Sequence, residues 1–226
     1  MTLSTFPGRT DGVRRAAAAG APAGRRRAYH HGNLRAALVA AATALLEAGG
    51  PLGVTLRGAA RRAGVSQTAP YRHFPDKSAL LAAVAEEGFR GLGRAIVRAA
   101  RPHRGDPVPA LQAMAVAIVR FAAAHPSHYR LMSGPAVRGR DHPPLREAAV
   151  AAWQLLTGAV RDCQRAGRIR AGDPAELAFA LWCLVHGLAV LAVDDQIPAE
   201  VLHAVPLERL AEHATRCLLE GLARRG

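Results

Sequence analysis

Apolar residues recur every three or four positions along most of the chain, and runs of strict alternation are few. That period marks helices with one buried face and predicts an all-α protein of about nine helices. Leu34, Leu38, Ala41, Leu45 and Ala48 place a first helix over residues 33–48, stopped by Gly49-Gly50-Pro51. Thr55 is placed to cap a short helix over 56–63, and Gly64 suits the left-handed turn that follows. Ser66 is placed to cap a second short helix, reaching His73. Asp76 starts a long one over 77–101, with Leu80, Leu81, Val84, Phe89, Leu92 and Ile96 on its apolar positions. Further helices are predicted over 108–124, 126–133, 144–166, 174–193 and 207–223. Asp173-Pro174-Ala175-Glu176 is a strong start for the fourth of these: capping Asp, Pro at the first position, Glu at the third.

Two short helices joined by a few residues that include a glycine form a helix-turn-helix pattern. Ala59, Ala60 and Ala63 are small enough to let the pair approach, and Val65 can plug their corner. Residues 1–28 lack any amphipathic period and are expected to be a disordered basic arm ending in Arg25, Arg26 and Arg27. Such an arm suits either a minor-groove contact or a solvated tail. The remainder divides into 29–75, which holds the paired short helices, and 76–226, a larger helical bundle.

Charge sharpens this division. The chain carries a formal net charge of +13. Its first 90 residues hold 13 Lys+Arg against 5 Asp+Glu, and the rest hold 17 against 12. A positive field concentrated at one end attracts polyanions. Gly, Pro and Arg interrupt every apolar run near the start, so no signal peptide is expected. The longest uncharged stretch, from Leu177 to Val193, carries His186 and Gly187 and stops short of spanning length, so a buried helix is expected there. Cys163, Cys183 and Cys217 have no metal-ligand spacing and are expected as buried thiols of a cytoplasmic protein. Catalytic residues, metal ligands and cofactors are not predicted: His125 and His128 lie three apart with no acidic or Cys partner nearby.

The segment from Gly64 to Leu81, with Gly64-Val65-Ser66 ahead of Tyr71-Arg72-His73-Phe74-Pro75-Asp76-Lys77, resembles the DNA-binding signature of the tetracycline-repressor (TetR) family. The likeness reaches back through Thr55-Leu56-Arg57 and covers residues 29–90. Residue chemistry agrees with it. Gln67 can pair with adenine, and Thr68 can donate, accept or touch a thymine methyl. Tyr71 and His73 offer polar tips to the backbone on either side of a groove, while Phe74 anchors the turn from below. Lys77 is the only lysine of the chain. At a helix start it opposes the dipole by about 0.3–1 kcal/mol, which a nearby phosphate would more than offset. Arg27, Thr55, Arg57, Ser66 and Arg72 complete the expected DNA contacts. Pro70 departs from the family pattern. It deletes the first backbone hydrogen bond of its helix and restricts Ala69, so an irregular helix start is expected.

Trp182-Cys183-Leu184-Val185-His186-Gly187 is similar to a Trp-x-x-x-His-Gly segment of one branch of that family, and His125-Pro126 with Tyr129-Arg130-Leu131-Met132 fits the same branch. The resemblance implies a homodimer, with Leu181, Leu184 and Leu188 of one helix and Leu207, Leu210, Ala214 and Leu218 of the last forming its interface. It also implies an inducer pocket among the middle helices, lined by Phe89, Met114, Ile118, Phe121, Tyr129, Met132, Trp153, Leu156 and His186. A small hydrophobic effector suits those side chains. The expected function is a sequence-specific repressor on double-stranded DNA, released from a palindromic operator by that effector. A non-specific DNA-coating protein and an all-helical enzyme with a vestigial DNA module are the alternatives; no membrane partner is expected.

Overall fold

The computed structural model describes residues 34–137 and 142–223, all within one compact unit. Arg27, the rest of the basic arm and Asn33 lie outside the described residues. Among the described residues there are nine α-helices and two 3-10 turns, with no strand beyond an isolated bridge between Ile169 and Ala223.

Helix α1 is Leu34–Gly53, but its regular part ends at Ala48, because Gly49 and Gly50 leave helical geometry and Gly50 has φ of 64°. Helix α2 is Leu56–Ala63. Thr55 caps it, its hydroxyl accepting from the Gly58 N–H at 2.9 Å. Gly64, at φ 70°, closes it: the Val65 N–H reaches back to the Ala60 carbonyl and the Gly64 N–H to that of Arg61. A side chain at Gly58 would meet the capping oxygen of Thr55 and Leu45 of α1, so glycine here sets how closely α2 lies on α1.

Where a short α-helix over 66–73 was expected there is a 3-10 turn, Ala69–Arg72. Pro70 has no N–H to give to an α-helical ladder, and only the His73 and Phe74 amides reach back to its carbonyl, both at 2.9 Å. Ser66 is not a cap either: its hydroxyl sits 3.3 Å from that of Thr68, and Thr68 precedes the turn without a side-chain cap.

Helix α3, Lys77–Ala100, is capped by Asp76 accepting from the Ala79 N–H at 2.8 Å. A 3-10 turn, Arg101–His103, extends it. There follow α4 (Pro107–Ala124), α5 (Pro126–Ser133), α6 (Pro143–Arg165), α7 (Pro174–Val193), α8 (Ala199–Ala204) and α9 (Leu207–Leu222). The one-and-a-half-turn α8 has no counterpart in the sequence reading, being too short for a period to show.

Two apolar cores result. The first gathers Leu38, Leu46, Val54, Phe74, Leu80 and Val84, with Leu131 and Leu145 from α5 and α6. The second gathers Leu111, Val119, Leu156, Val160, Leu181 and Val185 with Leu219 of α9. Helix α3 belongs to both, through Leu80–Ala85 at one end and Leu92 and Ile96 at the other. Met132 of α5 packs against both cores. There α5 crosses α3 at Gly88, where an added methyl would fall 2.6 Å from the Met132 sulfur and 3.2 Å from the His128 ring.

Among the described residues three helices, α1, α4 and α7, are long and apolar enough to cross a membrane by length and composition. For α7 this corrects the expected shortfall, since its capped start adds Pro174, Ala175 and Glu176 to the uncharged run.

Candidate nucleic-acid interface and ligand cavity

The face expected to touch DNA is built from inward anchors and outward polar tips. Pro70 and Phe74 are both buried, Phe74 within the first core, and the 3-10 turn packs against α2. Gln67, Thr68, Arg72 and His73 are exposed on it, and Tyr71 is 52% exposed. Thr55, Arg57 and Ser66 are exposed beside them. Lys77 is half-buried, its ammonium donating to the Leu52 carbonyl at 3.3 Å, which ties the start of α3 to the end of α1. Arg61 and Arg62 of α2 are also exposed at the same end. Sequence reading passed over them, although an Arg-Arg pair just before the Gly64 turn was a usable signal.

One arginine locks this module onto α3. The Arg35 guanidinium lies 5.7 Å from the centre of the Phe74 ring and pairs with Glu86 at 3.3 Å. Glu86 is 5% exposed and also accepts from Arg90 at 2.8 Å, so its buried charge is met from two sides.

Inside the bundle a chamber of about 140 Å³ is lined by Phe89, Ile118, Tyr129, Met132, Trp153, Leu156 and His186 of the expected set. Leu92, Ile96, Ser133, Ala149, Ala152 and Trp182 complete it. Trp182 was legible in principle, since the four-residue spacing to His186 puts both on one helical face. Met114 and Phe121 do not line the chamber. Met114 points from α4 toward a groove between α3 and α6, and Phe121 lies against Gly91 and the His125 ring. Ile118, one turn from Met114, is the α4 residue that reaches inward.

The chamber has one polar corner. The Tyr129 hydroxyl is 2.8 Å from His186 Nδ1, and the Trp182 ring stacks on His186 at 4.6 Å and 8°. Burial lowers the His186 pKa and raises that of Tyr129, so the pair is neutral at pH 7. Burial likewise lowers His128, against an opposing pull from Glu47.

The expected dimer face needs correction. Leu181 is 1% exposed and packs in its own protomer's second core, because α7 turns that side toward α4. Leu184, Leu188, Leu207, Leu210, Ala214 and Leu218 are not buried in this way; the second core and its fringe leave the outer parts of α7 and α9 open. The open side of α7 carries Phe179, 55% exposed, with Leu191 and Cys183, and α9 beside it carries Cys217. Only Cys163 of the three thiols is buried, and burial pushes its pKa up to about 11.

A helix-turn-helix module fixed to one end of a hollow helical body defines a class of ligand-responsive DNA-binding protein. Comparison with known proteins agrees. Residues 38–84 match the family described as bacterial regulatory proteins, tetR family, and 111–218 match the tetracyclin repressor-like C-terminal domain. A solved protein of unknown function from Rhodococcus sp. RHA1 is 36% identical, with a TM-score of 0.75, covering 88% of this chain and 100% of that one. The TetR family transcriptional regulator PfmR from Thermus thermophilus shares the fold at 19% identity, with a TM-score of 0.61 over 83% of this chain and 99% of that one. Nucleoid occlusion factor SlmA of Marinobacter nauticus is 28% identical over 61% of this chain and 70% of its own length. The chain belongs to the TetR family and is a ligand-responsive, DNA-binding transcriptional regulator.

Proposed function

We propose that the protein is a cytoplasmic, non-enzymatic homodimeric repressor. It holds two recognition turns in successive major grooves, about 34–36 Å apart, on a near-palindromic operator. The observation that carries this reading is the exposure of Gln67, Thr68, Tyr71 and Arg72 above the buried Pro70 and Phe74. Gln67 and Thr68 read base edges; Arg57, Tyr71, His73 and Lys77 hold phosphates. Thr55 and Ser66 flank them, and the basic arm with Arg27 supplies positive charge for the minor groove or the phosphates. The partner protomer covers the outer sides of α7 and α9, where Phe179 and Leu191 leave apolar surface uncovered. The Trp182–His186 stack then belongs to the branch suggested by the Trp-x-x-x-His-Gly segment.

Helix α3 connects the effector to DNA. Its first turn carries Lys77 and its later turns wall the chamber with Phe89, Leu92 and Ile96. A hydrophobic effector that fills the chamber shifts α3 and, through Arg35 and Glu86, changes the separation of the two recognition turns. A coupling of about 1–3 kcal/mol gives a 5–150-fold change in affinity.

The test is fluorescence anisotropy of the full chain on its own upstream region against random duplex at physiological salt. A regulator prefers its own site by roughly a thousandfold or more. Equal affinity for both duplexes would replace this reading with a non-specific DNA-coating one.

A further inference from the structure

The chamber admits only a small effector. At about 140 Å³ it matches a cavity that holds a benzene-sized group, whereas small-molecule sites occupy about 300–1,000 Å³. A second cavity of about 920 Å³ lies against it, a groove between the C-terminal half of α3 and α6 that opens to solvent. Ile96 is a wall of both, and the neighbours Leu155 and Leu156 line groove and chamber respectively.

The groove has two kinds of lining. Its floor is apolar, from Ile96, Met114, Leu155 and Ala159, and Gly158 leaves open space where a side chain would stand. Its rim is cationic, from Arg94, Arg98, Arg101 and Arg104. Arg94 is paired with Glu87 at 3.0 Å, and the one acid of the groove, Asp162, is paired with Arg165. Arg98, Arg101 and Arg104 make no ion pair or side-chain hydrogen bond among the described residues. Three unpaired guanidinium groups bordering an apolar trough repel a cationic occupant. Residues 1–33 carry six arginines and a single acid, so the chain's own arm is excluded by charge. Duplex DNA answers the charge but not the floor.

We infer that this groove binds an anionic amphiphile. Its carboxylate or phosphate head is held by Arg98, Arg101 and Arg104, and its aliphatic body lies on Ile96, Met114 and Leu155. Binding itself does not depend on the proposed repressor mechanism; its influence on DNA does, because the ligand would press on α3.

Calorimetry on the full chain at 0.15 M salt tests it, using dodecanoate, dodecyl phosphate, dodecanol and dodecyltrimethylammonium below their micelle concentrations. At least one anion should bind ten times more tightly than dodecanol, and the carboxylate and phosphate arms show which head fits. The exposed triple variant R98E/R101E/R104E should weaken that anion at least tenfold and leave dodecanol unchanged. Gly158→Phe, which fills the trough from an open position on α6, should weaken both anion and alcohol. Equal binding of alcohol and anion, or an anion indifferent to the charge reversal or to Gly158→Phe, overturns the inference. So does a triple variant that loses DNA affinity while still binding the anion, since the arginines would then be DNA contacts. Anisotropy on the operator without any amphiphile separates these outcomes from failure of the repressor reading.

Discussion

The two ends of α3 sit in two different cores, with the larger cavity beside the second. Leu80 and Val84 are fully buried in the first core, a cleft of about 170 Å³ at this end lying to one side between Phe74, Ala82 and Leu145, and its surface side chains are held by Phe74, Arg35 and Glu86. Around Leu92 and Ile96 the second core is hollow, with the chamber on one side and the groove on the other. A surface that reads base edges must keep its geometry within fractions of an ångström, and dense packing supplies that. A body that responds to a ligand needs space and two arrangements of nearly equal energy. Met132 packs against both cores beside Gly88.

The contrast is testable, beginning with the largest effect. Leu80→Ala, at a fully buried position of the first core, should cost near the top of the roughly 2–5 kcal/mol range for such truncations, and Leu156→Ala at the chamber wall near the bottom. The reason is that Leu156 already lacks neighbours on one side. Denaturant unfolding of both variants decides it, and equal costs would erase the distinction.

Lys77→Ala should weaken operator binding about tenfold, the size of one charge-assisted contact. It should lower the slope of log affinity against log salt by about one unit while leaving the effector site intact. An unchanged slope removes Lys77 from the phosphate contacts. Thr55→Ala loses the cap of α2 and should reduce stability by about 1 kcal/mol, read as a lower melting temperature.

The smallest effect is graded with pH. His128 and His186 are held below the ordinary value of 6.5 by burial, so the unfolded chain binds more protons than the folded one just below that pH. Stability is therefore full above about pH 6.5 and declines as pH falls toward the depressed folded values. Replacing both with Gln should flatten the decline in melting temperature between about pH 7 and 5. A wild-type melting temperature level across that interval would count against it.

Much of the DNA-reading end was legible in the sequence because its signals are local. A capping Thr55, a turn at Gly64 and a capping Asp76 act within four residues of themselves, and each holds in the structure. Pro70 announced irregularity but not its extent, which is why an α-helix was expected where a 3-10 turn stands. The hollow end was harder to read. Periodicity showed that Met114, Phe121 and Leu181 face something apolar, and it has no term for which of several apolar neighbours that is.

The positions of the longer helices, the module that meets DNA and the concentration of positive charge at its end follow from composition and spacing, since backbone ladders and caps depend on residues near in the chain. Which side chains enclose a void, which arginines lack a partner and which side of α7 stays open were decided by how distant helices meet. Those contacts join residues far apart in sequence, and a rotation of one helix by a fraction of a turn reassigns them.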